Sequence, residues 1–211
     1  MLYGLPADYR RNVHPVPYDD HAPVTGKCEG WTWQPDVYPL AAELAVEIGA
    51  EVIVDVGCGA ARKLLPLADR FEVVGIDRGE IVEQINADGL WIAADFESVD
   101  PLPAVEVGEP VVWVCSDVVE HLVHPDRLVS ALLDVLGDGD RLVLSTPDRP
   151  RTRGEKHRGP SQNRGHVQEW ALPELVSWLE SLGANVLSAD YTRSNDHEPD
   201  LATCLVVIGS A

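Results

Sequence analysis

The 211-residue sequence predicts a doubly wound α/β fold, a mostly parallel seven-stranded sheet with helices on both faces. Three observations predict it. Near-continuous apolar runs at 52–56, 73–76, 110–115 and 141–145 read as strands buried on both faces, which is the burial a parallel sheet requires. Amphipathic stretches, several ended by glycine, alternate with those runs. The stretch from Val52 through Asp55, Gly57 and Gly59, followed by Val73-Val74-Gly75-Ile76-Asp77, reads as strand, glycine turn, helix and a second strand ending on a carboxylate. A carboxylate there suits a ribose, because it can accept from both hydroxyls, so the unit points to a nucleoside-containing cofactor.

In chain order, residues 1–34 are irregular and rich in Pro, Tyr, Trp and His. Pro35 opens a helix in which Val37, Leu40, Ala41, Leu44, Ala45 and Ile48 follow a 3.6-residue period, and Gly49 stops it. Glu51–Val56 is a strand, Ala60–Ala68 a helix, Phe71–Ile76 a strand and Gly79–Asn86 a helix. Leu90–Ala94 is a short strand running into Asp95, and the connector 97–109 carries two prolines and reads as loop or frayed helix. Pro110–Cys115 is a strand. His124-Pro125 opens a helix with Leu128, Leu132, Val135 and Leu136 on one face, ended by Gly137. Arg141–Ser145 is a strand, followed by a polar loop from Thr146 to about His166. Leu172–Leu182 is a helix ended by Gly183. The last strands, Asn185–Asp190 and Leu201–Ile208, have no helix between them and should pair as a hairpin, placing one antiparallel strand in the sheet. No internal repeat or second domain is visible.

Hydrophobic residues make up 45% of the chain, ample for a core. The net charge is −19, from 35 acidic against 16 basic residues, which disfavours nucleic acid and anionic lipid as partners. Cysteines 28, 58, 115 and 204 form no C-x-x-C pair and read as free thiols in a reducing cytosol. No apolar run approaches the ~20 residues of a membrane span, and Met1–Arg11 shows no signal-peptide pattern, so a cytoplasmic location is expected. No pattern sets an oligomeric state.

The motifs then narrow the cofactor. The turn Gly57-Cys58-Gly59 continues Ala60-Ala61-Arg62, without the third glycine of a dinucleotide fingerprint, and there is no separate substrate domain for an NAD enzyme. The run D-x-G-x-G at Asp55, Gly57 and Gly59, a next strand ending at Asp77, and Ala94-Asp95-Phe96 after the third strand together resemble the class I S-adenosylmethionine-dependent methyltransferases. The resemblance covers residues from about 35 to 211. It implies a Rossmann-like sheet of order 3-2-1-4-5-7-6 over 35–211, with residues 1–34 as an N-terminal lid or substrate segment. It implies that Asp55, Gly57 and Gly59 line the methionine part of S-adenosyl-L-methionine, that Asp77 takes the ribose hydroxyls, and that Asp95 meets the adenine amino group with Phe96 beside the ring. Ser116 would border the cofactor. Ala61 stands where many members have glycine.

A second constellation, Ser116-Asp117-Val118-Val119-Glu120-His121-Leu122, falls at the carboxyl end of the fourth strand, where open α/β sheets place their chemistry. A helical turn would bring Asp117, Glu120 and His121 to one face. His166, with Glu169 and Trp170 after it, ends the loop beyond the fifth strand and should open onto the same edge. Two functional readings stay open. His121 or His166 acts as general base on a hydroxyl, with Glu120 and Asp117 as orienters. Alternatively Asp117, Glu120, His121 and His166 hold a divalent metal that orients the hydroxyl and lowers its pKa. D-x-x-E-H with a later H-x-x-E-W is similar to blocks of the metal-dependent small-RNA 2′-O-methyltransferases, with Asp117 in place of a glutamate. A purely structural reading, E-H-L packing this corner, is the third.

The loop 148–165 holds Arg149, Arg151, Arg153, Lys156, Arg158 and Arg164, six of the 16 basic residues. On so acidic a chain this reversal either attracts an anionic acceptor, with Arg151 and Arg153 as contacts, or pairs with the acidic surface. Tyr18, Trp31, Trp33, Gln34 and Tyr38 precede or open the first helix; the aromatics, Trp33 foremost, either stack on an acceptor or anchor a tail. Lys63 reaches Glu120, the cofactor carboxylate or solvent. The expected function is methyl transfer from S-adenosylmethionine to an oxygen of a small polar or anionic acceptor, such as a sugar, saccharide chain or specialised metabolite. The alternatives are a metal-dependent RNA 2′-O-methyltransferase and a non-catalytic S-adenosylmethionine-binding protein.

Overall fold

The computed structural model describes residues 2–16 and 30–210; Tyr18 and Cys28 lie outside the described residues. Helix α1 (Val37–Ile48) leads into strand β1 (Val52–Val56), then β2 (Glu72–Asp77), α2 (Gly79–Val82), β3 (Leu90–Ala93) and β4 (Val111–Ser116). Helix α3 (Pro125–Val135), β5 (Arg141–Pro147), α4 (Arg149–Arg153), α5 (Leu172–Ser181), β6 (Asn185–Thr192) and β7 (Thr203–Gly209) complete the chain. The seven strands form one sheet of order β3-β2-β1-β4-β5-β7-β6. Strands β1 to β5 pair in parallel, while β7 runs antiparallel to both β5 and β6. The direct β6–β7 connection puts that one reversed strand in the sheet, as the missing crossover helix requires.

Strand alternation divides the core into two layers. Val52, Val54 and Val56 face one layer with Val74, Ile76, Trp113 and Leu144, closed by α3 and α5 through Leu128, Leu132, Leu175 and Trp178. Ile53 faces the other with Val73, Val112, Val114 and Val143, closed by α1 through Val37, Tyr38, Ala41 and Ala45. The N-terminal strap joins the first layer: Leu5 is buried there, Tyr3 meets Trp178 edge-on at 5.9 Å, and Trp170 Nε1 donates to the Tyr3 carbonyl.

Three expected elements differ. The helix expected at Ala60–Ala68 is instead a series of turns ending in a short 3₁₀ segment, Leu65–Leu67. Ala61 has φ +56°, and Pro66 has neither the N–H nor the ring clearance to bond back to Arg62, so an α-helix cannot run through. Helix α2 stops at Val82 rather than Asn86. The loop expected from Thr146 begins with the last residues of β5 and then α4, whose N-cap Asp148 accepts from the Arg151 N–H at 2.9 Å. The pair Asp148 and Pro150 was the sequence signal for that turn of helix.

Candidate active site

The strand order turns at β1 and β4: β2 and β3 lie to one side and β5 to the other, and the carboxyl ends of β1 and β4 border the crevice between the two halves. Gly57 follows β1 with φ +86°, and a Cβ there would meet Val118 Cγ2 at 2.2 Å. Only glycine fits, for both reasons. The Gly57 N–H donates to the Ile76 carbonyl at 2.8 Å, and the Gly59 N–H to Asp77 Oδ2 at 2.8 Å. Arg78 N–H donates to Asp77 Oδ1 at 2.7 Å. The turn and the end of β2 are thereby locked together.

Beyond Asp77, an open cleft of about 520 Å³ is lined by Arg78, Gly79, Glu80, Ala93, Ala94 and Asp95. Asp95 is exposed at its rim, whereas Phe96 is buried in the first core layer. On the other side, Asp55 is fully buried and its Oδ2 accepts from Tyr38 Oη at 2.8 Å. Lys63 Nζ stands 5.0 Å from the centre of the Tyr38 ring. Ser116 Oγ accepts from Ser145 Oγ at 2.8 Å.

The acidic and imidazole groups gather past β4. Glu120 lies in a 3₁₀ turn, Val119–His121, and is fully buried; its Oε2 accepts from Thr146 Oγ1 at 2.9 Å, and its Oε1 has no hydrogen-bond partner among the described residues. Burial, then the nearby charge of Asp117, pushes its carboxyl well above the ordinary value. His121 Nδ1 lies 3.0 Å from the Gly165 carbonyl, which can only accept, so Nδ1 carries the hydrogen and Nε2 the lone pair. Burial and the neighbouring His166 lower its pKa to about 4. The two rings meet edge-on with centres 4.8 Å apart. His166 Nδ1 is 2.8 Å from Glu169 Oε1, and its Nε2 is 2.8 Å from Asn163 Nδ2. Ligand atoms of Glu120, His121 and His166 lie within 4.8 Å of one another. Asp117 stands outside this group: it follows β4 with φ +56°, and its Oδ1 accepts from Gln34 Nε2 at 3.1 Å.

Glu169 is the hub of the downstream block. Besides His166 it receives Ser161 Oγ at 2.6 Å and the Arg153 guanidinium at 3.1 and 3.3 Å. Burial alone would raise its pKa; the bonds from His166, Arg153 and Ser161 outweigh that and hold it at about 2. Arg149 is likewise buried and bidentate to Glu174. Arg151 lies 3.7 Å from the Tyr191 ring centre and donates to the Leu201 carbonyl. These three arginines of the loop 148–165 are thus engaged within the protein, while Lys156 and Arg164 are exposed.

The segment before α1 docks on the β6–β7 connection. Trp33 bridges to Asn195, Thr32 N–H donates to Asp196 Oδ1 at 2.9 Å, and Asp36 pairs with Arg193. Trp31 stacks on His197 at 5.2 Å and meets Trp33 at 5.8 Å. Trp33 remains 40% exposed. Sequence reasoning gave no role to Thr146 or Asn163, which meet the site only through the fold, nor to Glu169, although its i+3 spacing from His166 was readable.

Comparison with known proteins agrees with this geometry. A family model described as a methyltransferase domain matches residues 36–189. A ubiquinone biosynthesis O-methyltransferase of Xanthomonas oryzae pv. oryzae (strain PXO99A) is 29% identical over 148 residues, 63% of this chain and 62% of that protein. The chain thus spans less than two thirds of the length of this relative. Among solved structures, an S-adenosylmethionine-dependent methyltransferase from Clostridium acetobutylicum ATCC 824 superposes with TM-score 0.62 at 9% identity, over 85% of this chain and 92% of that one. The [4+2]-cyclase SpnF superposes with TM-score 0.63 at 15% identity, over 98% and 89%. These structures share the fold. The match over 36–189, on a sheet of this order with a carboxylate closing β2, places the chain in the methyltransferase-domain family of class I, S-adenosylmethionine-dependent architecture.

Proposed function

We propose that this chain transfers a methyl group from S-adenosylmethionine to a hydroxyl oxygen of a small polar or anionic acceptor. The observation that carries the reading is the placement of Asp77 and the Glu120–His121–His166 group at neighbouring strand ends on either side of the Gly57 turn. The site fits the cofactor. The Asp77 carboxylate at the end of β2 suits the ribose hydroxyls, and Asp95 on the cleft rim suits the adenine amino group. Asp55, Gly59 and Ser116 complete the binding set, whereas Phe96, expected beside the adenine ring, packs in the core instead. When bound, S-adenosylmethionine supplies an electrophilic methyl group on a sulfonium. The chain's own task is then to position the acceptor and remove its proton. His121 is neutral at pH 7, and its Nε2 lone pair takes the hydroxyl proton as the new C–O bond forms. The relatives named as O-methyltransferases support oxygen as the acceptor atom, and the net charge of −19 weighs against RNA.

A second reading is favoured by the bare, buried Oε1 of Glu120. One carboxylate and two imidazoles are a donor set that suits a divalent transition metal, and a cation would favour the ionised form of a carboxyl whose pKa burial raises. Glu120, His121 and His166 would hold it, with Glu169 orienting His166 through Nδ1. His166 Nε2 would first have to leave Asn163. Bound, such a metal supplies Lewis acidity toward the acceptor hydroxyl.

Calorimetry with S-adenosylhomocysteine and with NAD tests the cofactor. Saturable binding of the former, weakened about tenfold or more by Asp77→Ala, is expected; binding of NAD alone would sink the reading. Release of S-adenosylhomocysteine in the presence of a panel of catechols, sugars and sugar acids tests the reaction. His121→Ala should lower kcat about 100-fold or more. Undiminished turnover in EDTA would eliminate the metal.

A further inference from the structure

Four non-glycine residues among those described have positive φ: Tyr3, Gln34, Ala61 and Asp117. Two of them, Gln34 at +53° and Asp117 at +56°, are bonded to each other although 83 residues apart. Backbone strain of this kind persists only where surrounding structure enforces it. Both residues are enforced. Gln34 N–H donates to the Ser194 carbonyl and its own carbonyl accepts from Val37, while Asp117 N–H donates to the Ser145 carbonyl. Gln34 is 2% exposed. Its amide donates through Nε2 to Asp117, but its Oε1 is buried with no hydrogen-bond partner among the described residues. An amide oxygen so placed destabilises the fold unless something donates to it.

The position narrows what that donor is. Val118, next to Asp117, fills the space in front of Gly57, so the Gln34–Asp117 pair borders the glycine turn. Along the strand ends the cleft at β3, Asp77 at β2, the turn after β1 and Asp117 after β4 follow one another. A ligand with its adenine at β3 and its ribose at β2 brings its amino-acid end to β4. That end carries an ammonium, with three N–H donors, and a carboxylate. Gln34 Oε1 and the Asp117 carboxylate both accept hydrogen bonds, and one of them is anionic when ionised. Burial raises the Asp117 pKa and the positive charge of Lys63 works against that rise, so Lys63 is a cation both for Asp117 and for the ligand's carboxylate.

We propose that Gln34 and Asp117 form a clamp that binds the ammonium of the cofactor's amino-acid end, Gln34 Oε1 and the Asp117 carboxylate both accepting from it. The inference rests on the cofactor reading above and goes beyond it by assigning Gln34, from the segment before α1, to the cofactor rather than to the acceptor. It also gives that segment a second task. Because residues 31–36 are pinned to the β6–β7 connection, filling the clamp ties that connection to cofactor occupancy.

The test is calorimetric and uses two ligands, S-adenosylhomocysteine and its analogue lacking only the amino group, S-adenosyl-4-thiobutyrate. The native protein should bind the first about tenfold or more tightly than the second. In Gln34→Met, which keeps the side-chain length and removes the amide, that preference should fall to about threefold or less, through weaker binding of S-adenosylhomocysteine alone. Asp117→Asn keeps a residue type that tolerates positive φ and removes the charge; it should reduce the preference likewise, and it serves if Gln34→Met does not fold by circular dichroism. Equal loss for both ligands in the variants, or an unchanged preference, would overturn the clamp while leaving the cofactor reading intact. Failure of the native protein to bind either ligand would overturn both.

Discussion

Replacing Gly57 with alanine tests the close contact between the β1 turn and the residue after Asp117. The added Cβ would sit 2.2 Å from Val118 Cγ2, well inside van der Waals contact, and on a backbone with φ +86°. The conformational penalty for a residue with a Cβ is about 1–2 kcal/mol. Relieving the overlap by moving Val118, itself buried, costs about 1–3 kcal/mol more. The sum, roughly 2–5 kcal/mol, corresponds to a fall in Tm of about 4–20 °C for a domain of this size. Cofactor affinity should fall as well, because the Gly57 and Cys58 N–H groups bond to Ile76 and the Gly59 N–H to Asp77, so displacement of the turn moves the carboxylate proposed to bind the ribose. Scanning calorimetry of Gly57→Ala, Val118→Ala and the double variant, each with and without S-adenosylhomocysteine, separates the two costs. In the Val118→Ala background the overlap is gone and only the backbone penalty remains, giving a favourable coupling of about 1–3 kcal/mol. A Gly57→Ala protein as stable as the native one, or additive effects in the double variant, would refute the contact.

Two further outcomes follow from the buried charges. The Glu169 carboxyl is held at about 2 against an ordinary 4.5, so its contribution is fully present above pH 4.5 and is lost as pH falls from there through about 2. At neutral pH it amounts to at most about 3 kcal/mol, and Glu169→Gln should remove it and flatten the acid limb of a urea-denaturation profile between those values; an unchanged acid limb would show that the carboxylate is not held by His166, Arg153 and Ser161. Arg153→Ala should destabilise the fold by about 1–2 kcal/mol, a part of that total, because His166 and Ser161 still hold Glu169. Lys156→Ala with Arg164→Ala should leave Tm unchanged and raise KM for an anionic acceptor, and the increase should vanish at high salt. A salt-independent KM in the native protein would show that these exposed cations do not steer the acceptor.

The sheet, and the glycine turn that ends beside Asp77, are legible in the sequence because both are encoded locally. Two-sided apolar runs such as Val52–Val56 can be satisfied only between two helical layers, and Gly57, Gly59 and Asp77 lie within one βαβ unit whose geometry is nearly fixed by chain connectivity. The same local logic failed at Ala60–Ala68, where helix-favouring composition lost to the positive φ of Ala61 and to Pro66. Tertiary structure alone decided the far end of the site. Asp117 and Glu120 are three residues apart, as on one helical face, yet the turn after β4 has φ +56° and sends Asp117 to Gln34 and Glu120 to Thr146. The arginines of the loop 148–165 look alike in sequence, but Arg149 is itself buried and paired with Glu174, and Arg153 is drawn to the buried Glu169, because a buried charge must be paired. Gln34 carries no motif at all. Its bond to Asp117 joins residues 83 positions apart, and only the folded sheet brings them together.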